Sequence, residues 1–94
     1  MVKMAVSYED GAKTILFGAL NDAITDMVKV KYIRWIKPTT AGHELVVQNT
    51  GSKVVCQMTC DTANEDSSPL RIDDWVHGLK VTTLGSGTVE VRIE

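Results

Sequence analysis

The sequence contains no long apolar segment. No run approaches the ~20 apolar residues that a membrane-crossing helix requires. The N-terminus carries one early lysine and reaches the acidic residues Glu9 and Asp10 before a hydrophobic region can form, which is not the pattern of a secretory signal. We therefore expect a protein that is made and kept in the cytosol and has no membrane partner.

Basic residues are not in excess either. Ten lysines and arginines stand against twelve aspartates and glutamates, which gives a net charge of −2 at neutral pH. A protein that holds a nucleic-acid backbone normally presents a positive surface to the phosphates. The charge balance therefore argues against nucleic acid as a partner.

Cysteine occurs only twice, at Cys56 and Cys60. On an extended strand their Cα atoms would lie roughly 13 Å apart, beyond the ~7 Å limit for a disulfide. We therefore expect free thiols on the same strand face as Met58. A zinc site would need His43 and His77 as further ligands, and the C-x3-C spacing of the cysteines differs from the C-x2-C pattern of zinc knuckles. Buried thiols are therefore favoured over zinc ligands, and no cofactor is expected.

Motifs for catalysis and for calcium binding are missing. The chain has no G-x-S-x-G, no H-E-x-x-H and no glycine-rich phosphate loop. A serine or cysteine could still meet a distant histidine in space, but in a short chain assigned mostly to strands we expect no enzyme.

An acidic loop over residues 61–69 lacks the spacing and the glycine of a calcium loop, and it is interpreted as solvated. The loop supplies four oxygen donors, Asp61, Asn64, Glu65 and Asp66, and two more, Asp73 and Asp74, follow nearby in the sequence.

The chain is instead rich in strand signals. Apolar and charged residues alternate without interruption from Val89 to Glu94, as in a strand with one face in a core and one in water. Closely spaced turn residues and the absence of a crossover helix after residue 28 favour antiparallel pairing. We predict an all-β fold, an antiparallel β-sandwich or flattened barrel of about 7–8 short strands.

The predicted domain organisation is a single β domain over residues 1–94. Residues 28–94 form the β-sandwich core, and residues 1–27 form an N-terminal strand, at residues 2–6, with an adaptor segment. Apolar residues at helical spacing allow a short helix near 18–26, although Gly18 and the short run oppose it. A chain of this length buries only about 60–65% of its unfolded surface, so oligomerisation would add buried area.

The longest predicted strand covers residues 27–37. Its alternation changes phase between Tyr32 and Ile33, which predicts a bulge or a passage between two sheets. Three hairpins are expected. In the first, a turn at 39–42 leads from the longest strand to a returning strand at 43–49. In the second, a turn at 49–52 joins strands at 45–47 and 54–60. In the third, a turn at 85–87 joins strands at 79–84 and 88–94. Residues 70–72 are predicted to form a brief edge strand, followed by a turn at Asp73 and Asp74.

Aromatic residues are few, and three of them are candidates for a partner interface. Trp35 lies within the longest strand, where packing in the core is favoured over an interface role. Trp75 stands at an expected junction between loop and strand, where a core role is again favoured and an interface role is the alternative. Tyr8 is the third candidate. Exposed aromatics also bind carbohydrate in small β domains, which keeps a sugar-binding role as an alternative.

Two stretches resemble small structural proteins encoded by tailed bacteriophages and prophages. Residues 33–43 have the form I-R-W-x-x-P-T-T-A-G-H, and residues 76–87 have the form V-x-G-L-x-V-T-x-L-x-S-G. The resemblance extends from about Lys31 to Glu94. The matching residues are strand and turn positions rather than a site, so no catalytic residue follows from them.

The resemblance implies a β-sandwich component of a virion that is assembled in the host cytoplasm. The expected function is capsid decoration or a head fibre, exerted by a homo-oligomer such as a trimer. Its partners would be further copies of itself and the major capsid protein or another virion protein. A tail-associated virion protein and a carbohydrate-binding module for host glycans are the alternatives.

Overall fold

The computed structural model describes the backbone of residues 6–9 and the complete residues 13–94. The predicted strand at residues 2–6 lies, apart from Val6, outside these residues. The described residues contain seven strands: β1 (Val6–Glu9), β2 (Thr14–Phe17), β3 (Ala23–Ile36), β4 (Glu44–Gln48), β5 (Val54–Thr59), β6 (Leu70–Leu84) and β7 (Thr88–Ile93).

All the described strands belong to one antiparallel sheet, in the order β1-β2-β7-β3-β6-β4-β5. The all-β prediction is therefore confirmed. Within the described residues there is no helix, and consequently none that has the length and apolar character to cross a membrane.

The short helix predicted near residues 18–26 is wrong. The Asp22 carboxylate accepts hydrogen bonds from the N–H groups of Gly18 at 3.1 Å and Ala19 at 3.0 Å, which closes a turn. The backbone of Asp22 then pairs with Val81, and β3 starts at the next residue. The Asp22 side chain thus accepts the N–H groups of the turn, and the apolar residues that follow pair in the sheet instead of forming a helix.

The long strand β3 changes its inward face where the sequence predicts. Val30 is fully buried, and the next fully buried residue is Ile33, so the inward positions shift from even to odd numbers. Val30 pairs with Ile93 and Tyr32 pairs with Arg92, which leaves Lys31 as an extra residue. The predicted bulge is confirmed.

The prediction of a brief strand at 70–72 and a turn at Asp73 and Asp74 is wrong. β6 runs without interruption from Leu70 to Leu84. Asp73 has a φ of 51° and is the extra residue between two pairs with β3, Val30 with Asp74 and Tyr32 with Arg71. A residue type that favours turns therefore forms a bulge here, because pairing with β3 continues on both sides of it.

A second bulge between the same strands lies opposite a glycine. Ile24 pairs with Leu79 and Met27 with His77, so β3 advances by three residues where β6 advances by two. Gly78 lies opposite this bulge, is buried and has a φ of 75°. A Cβ at this position would lie 2.4 Å from the methyl group of Thr50 and 2.9 Å from the carbonyl oxygen of Ile24, so only glycine fits.

Only one of the three predicted hairpins has paired strands. β4 and β5 pair around the turn at 49–52, as predicted. β3 does not pair with β4, because β6 lies between them, and β6 does not pair with β7, because β3 lies between them. The turn at 85–87 instead connects Leu84, which pairs with β4, to Thr88, which pairs with β3.

One cluster of buried side chains forms the core. In β7 the inward residues Val89 and Val91 are fully buried, as its alternation predicts. Trp35 is the largest fully buried side chain. The other members are Ile15, Phe17, Val30, Ile33, Leu45, Val47, Cys56, Cys60, Val76, Leu79 and Val81.

Candidate functional site

Trp75 lies in the middle of β6 with its side chain on the outer side of the sheet. It is 61% exposed, the highest exposure of any large apolar residue described. Its neighbour Val76 points into the core, so strand alternation directs Trp75 outward. The core role considered for Trp75 is therefore wrong, and its interface role remains a prediction.

The residues around Trp75 come from the pairing of β3 and β6. Lys29 is directly opposite Trp75, and Met27 is directly opposite His77. Opposite residues share a face of the sheet, so these four side chains lie together on the outer side. Met27 is 55% exposed and is a diagonal neighbour of Trp75. We call this set, Met27, Lys29, Trp75 and His77, the Trp75 face.

Two charged groups on or near this face form ion pairs. The Lys29 ammonium lies 3.0 Å from a carboxylate oxygen of Glu94. The hydrogen bond and charge of Glu94 raise the pKa of Lys29 above its ordinary value. Arg71 forms a similar contact of 3.0 Å with Asp73 further along β6, which raises the pKa of the guanidinium. The charge beside Trp75 on the opposite strand, that of Lys29, is therefore paired within the protein.

Trp35 occupies the opposite environment. It is 1% exposed, and its indole N–H donates to the carbonyl oxygen of Ser86 at 2.8 Å. Its backbone N–H donates to the Ser67 hydroxyl at 2.9 Å, and its carbonyl oxygen accepts from the N–H of Ser67 at 2.8 Å. This tryptophan holds the turn at 85–87 and the loop at 61–69 to β3, and its side chain is almost completely buried.

Tyr8, the third aromatic candidate, is described only by its backbone. It lies in β1 at one margin of the sheet and pairs with Ile15 of β2. Its side chain lies outside the described atoms, so its predicted interface role stays a prediction.

A histidine and a serine distant in sequence meet in the fold. His43 Nδ1 lies 2.9 Å from the Ser86 hydroxyl oxygen, which also accepts the N–H of Thr39 at 2.8 Å. The three residues join the turn after β3 to the turn after β6. The contact ties these two turns together at one end of the sheet.

The two cysteines are free and buried. Burial raises the pKa of the Cys56 thiol to about 11. His43 is bound to Ser86, whereas His77 is exposed on the Trp75 face. Within residues 13–94, no three side chains of the His, Cys, Asp and Glu types lie where they could share a metal ion.

An open groove of about 620 Å³ lies between β5 and the loop at 61–69. Trp35 and Pro38 lie at its base, and Met58 and Leu70 add apolar surface. Sequence reasoning treated this loop only as a solvated connection and did not find the groove. It also missed Met27 and Lys29, because their position depends on which strand pairs with β6.

Comparison of the chain with protein-family models, with curated proteins and with solved structures finds no match.

Proposed function

We propose that the protein is a structural component of a bacteriophage virion. It decorates the capsid or forms a head fibre, and it acts as a homo-oligomer such as a trimer. The observation that carries this proposal is Trp75, a large aromatic side chain exposed in the middle of a strand. The resemblance of residues 33–43 and 76–87 to phage structural proteins supports the assignment to a virion.

The proposed mechanism is adhesion through the Trp75 face. Tryptophan is enriched among the few residues that provide most of the binding free energy at protein interfaces. Trp75 and Met27 supply apolar area, and the paired Lys29 and Glu94 lie beside it as a polar rim. Many copies on one particle would raise the total strength of attachment through multivalency.

The proposal includes the form of the sheet, a β-sandwich or flattened barrel. The core cluster combines Phe17 and Val89, from strands in the first half of the sheet order, with Leu45 and Cys56 from its other end. A flat sheet would keep these side chains apart, so their shared cluster supports a sheet that bends on itself.

The proposed partners are further copies of this chain and the major capsid protein or another virion protein. Assembly would take place in the host cytoplasm, where a reducing environment suits the two free thiols. Within the virion, attachment to the tail is the alternative location. Labelling of intact particles with an antibody against the chain, viewed by electron microscopy, separates capsid from tail.

A carbohydrate-binding module is the second candidate function. The feature that favours it is the same Trp75, an exposed flat ring flanked by the polar Lys29 and His77, an arrangement on which a sugar ring can stack. A glycan array tests this candidate. Saturable binding that Trp75→Ala abolishes would favour it over capsid attachment.

Capsid attachment is tested by cosedimentation of the purified protein with capsids of the phage that encodes it. Trp75→Ala is expected to weaken binding by about thirtyfold, which corresponds to about 2 kcal/mol. Leu20→Ala is the matched control, since Leu20 is 50% exposed in the turn before β3. The control is expected to bind as the unmodified chain does.

Light scattering after gel filtration counts the subunits of the free protein. A protein that is strictly monomeric and does not sediment with capsids contradicts the proposal. Equal capsid binding by Trp75→Ala and the unmodified chain contradicts the role of the Trp75 face.

A further inference from the structure

The groove beside β5 has fixed walls and an apolar base. On one side it is lined by residues 57–59 of β5 and by Cys60, which follows this strand. On the other side Ser67 is held to Trp35 of β3 by two hydrogen bonds, of 2.8 and 2.9 Å. Leu70, 41% exposed, and Met58 flank the buried Trp35. The groove is therefore formed before any ligand arrives.

The backbone of β5 faces this groove with hydrogen-bonding groups. The N–H of Cys60 donates to His43 at 2.8 Å, and its carbonyl oxygen accepts from Gly42 at 2.9 Å, so Cys60 points toward the β4 side. Because N–H and C=O directions alternate along a strand, those of Gln57 and Thr59 point away from β4. No strand of the described residues pairs with this margin of β5.

The charge of the groove has one sign. Among the described residues that line it, Asp61, Glu65 and Asp66 are acidic and exposed, and none is a lysine or arginine. Asp66 accepts a hydrogen bond from the backbone N–H of Lys37, so its carboxylate is held in place. A basic ligand therefore matches the rim, and an acidic one is repelled.

We propose that the groove binds an extended basic and apolar peptide segment of another protein, which adds as a strand to the free margin of β5. The backbone of the segment pairs with Gln57 and Thr59. Alternate side chains of the segment enter between Met58 and Leu70, and its lysines or arginines contact Asp61 and Glu65. The four β5-side residues 57–60 accommodate a segment of about four to five residues. This inference does not rest on the function proposed above.

The test measures binding of fluorescein-labelled peptides to the full chain by fluorescence anisotropy. The probe is an acetylated hexapeptide of alternating lysine and valine. Two further peptides serve as comparisons, one with glutamate in place of lysine and one with an N-methyl group on every backbone amide. The lysine peptide is expected to bind at least tenfold more tightly than either, because the first comparison reverses the charge and the second removes the N–H donors.

Two protein variants test the site itself. Asp61→Lys with Glu65→Lys is expected to weaken binding of the lysine peptide by about tenfold or more. Asp26→Lys is the matched control, since Asp26 is an exposed acid of β3 outside the groove, and it is expected to leave the affinity within about twofold. Amide chemical shifts in NMR spectra are expected to change most at Gln57 and Thr59.

Several outcomes would overturn the proposal. Absence of binding at millimolar peptide rules out the groove as a peptide site. Equal affinity of the N-methylated peptide rules out strand addition. Equal affinity in the doubly reversed variant, or shift changes confined to the Trp75 face, places the peptide elsewhere.

Discussion

Trp35 and Trp75 are the same side chain in two opposite environments. Trp35 is buried and hydrogen-bonded to Ser86, whereas Trp75 is exposed on the outer side of β6. The first fixes the fold, and the second is available to a partner. Substitutions at the two positions should therefore separate stability from binding.

Replacing each tryptophan by phenylalanine tests this difference. Trp35→Phe leaves the Ser86 carbonyl oxygen without its donor and removes buried volume, so the free energy of unfolding should fall by about 1–3 kcal/mol. Trp75→Phe should change it by less than about 0.5 kcal/mol, since the side chain is exposed. Urea denaturation followed by circular dichroism measures both, and equal effects would contradict the assignment.

The thiol of Cys56 is expected to make the free energy of unfolding depend on pH in the alkaline range. Burial raises its pKa from 9.0 to about 11 in the folded protein, whereas the unfolded chain has the ordinary value. Between pH 9 and 11 the unfolded chain loses the thiol proton and the folded protein keeps it. The unfolded state therefore binds fewer protons, and stability falls as pH rises through this window.

The expected loss from this thiol is on the order of 1–2 kcal/mol between pH 9 and 11. Urea midpoints measured across this range should fall in the unmodified chain and fall less in Cys56→Ala. Other groups that titrate in this range are common to both proteins. Parallel pH profiles in the two proteins would show that Cys56 is not the cause.

At the scale of elements, the two bulges decide how β3 and β6 pair. Gly78 allows the close approach of Thr50 and Ile24 at one bulge, and Asp73 is the extra residue at the other. Between them the Trp75 face is held in a regular paired segment. The register of this segment, and hence the neighbours of Trp75, depends on both bulges.

Gly78→Ala is expected to destabilise the protein by about 2 kcal/mol or more beyond its matched control, Gly42→Ala. Both glycines have positive φ, but a Cβ at Gly42 meets nothing within 4 Å, whereas one at Gly78 meets Thr50 and Ile24. The control therefore reports backbone strain alone, about 1–2 kcal/mol. Thermal and urea unfolding compare the two variants, and equal losses would contradict the steric argument.

The sequence allowed prediction of local features but not of strand neighbours. The bulge in β3, the β4–β5 hairpin and the inward face of β7 follow from periodicity and turn residues over short spans. The positions of Trp75 and of the groove depend on β6 lying between β3 and β4, a pairing between distant residues that no local pattern records. Local patterns gave wrong predictions at two aspartates. Asp22 closes a turn where a helix was considered, and Asp73 forms a bulge where a turn was predicted.

For the whole molecule, β7 is the strand that completes the sheet. It lies between β2 and β3 and contributes Val89 and Val91 to the core. Its removal would leave both neighbours without a partner on one side and would open the core to water. The sheet would be divided into two parts, β1 with β2 and β3 with β6, β4 and β5.

A chain that ends after Gly87 is therefore expected to lose cooperative unfolding altogether. A chain that ends after Ile93 is the control, because it keeps β7 and loses only Glu94, whose ion pair with Lys29 is exposed. Circular dichroism and thermal unfolding distinguish the two outcomes. A cooperative transition in the shorter chain would contradict the role given to β7.

The location of β7 also sets the order of events during synthesis. The strands on either side of it, β2 and β3, leave the ribosome well before β7, which begins at Thr88. The nascent chain therefore carries two unfinished strand margins until β7 has been made, and its apolar residues stay exposed to other chains for that time. Folding becomes possible only when β7 emerges from the ribosome, so this protein is vulnerable to association with other chains until residues 88–93 have been synthesised.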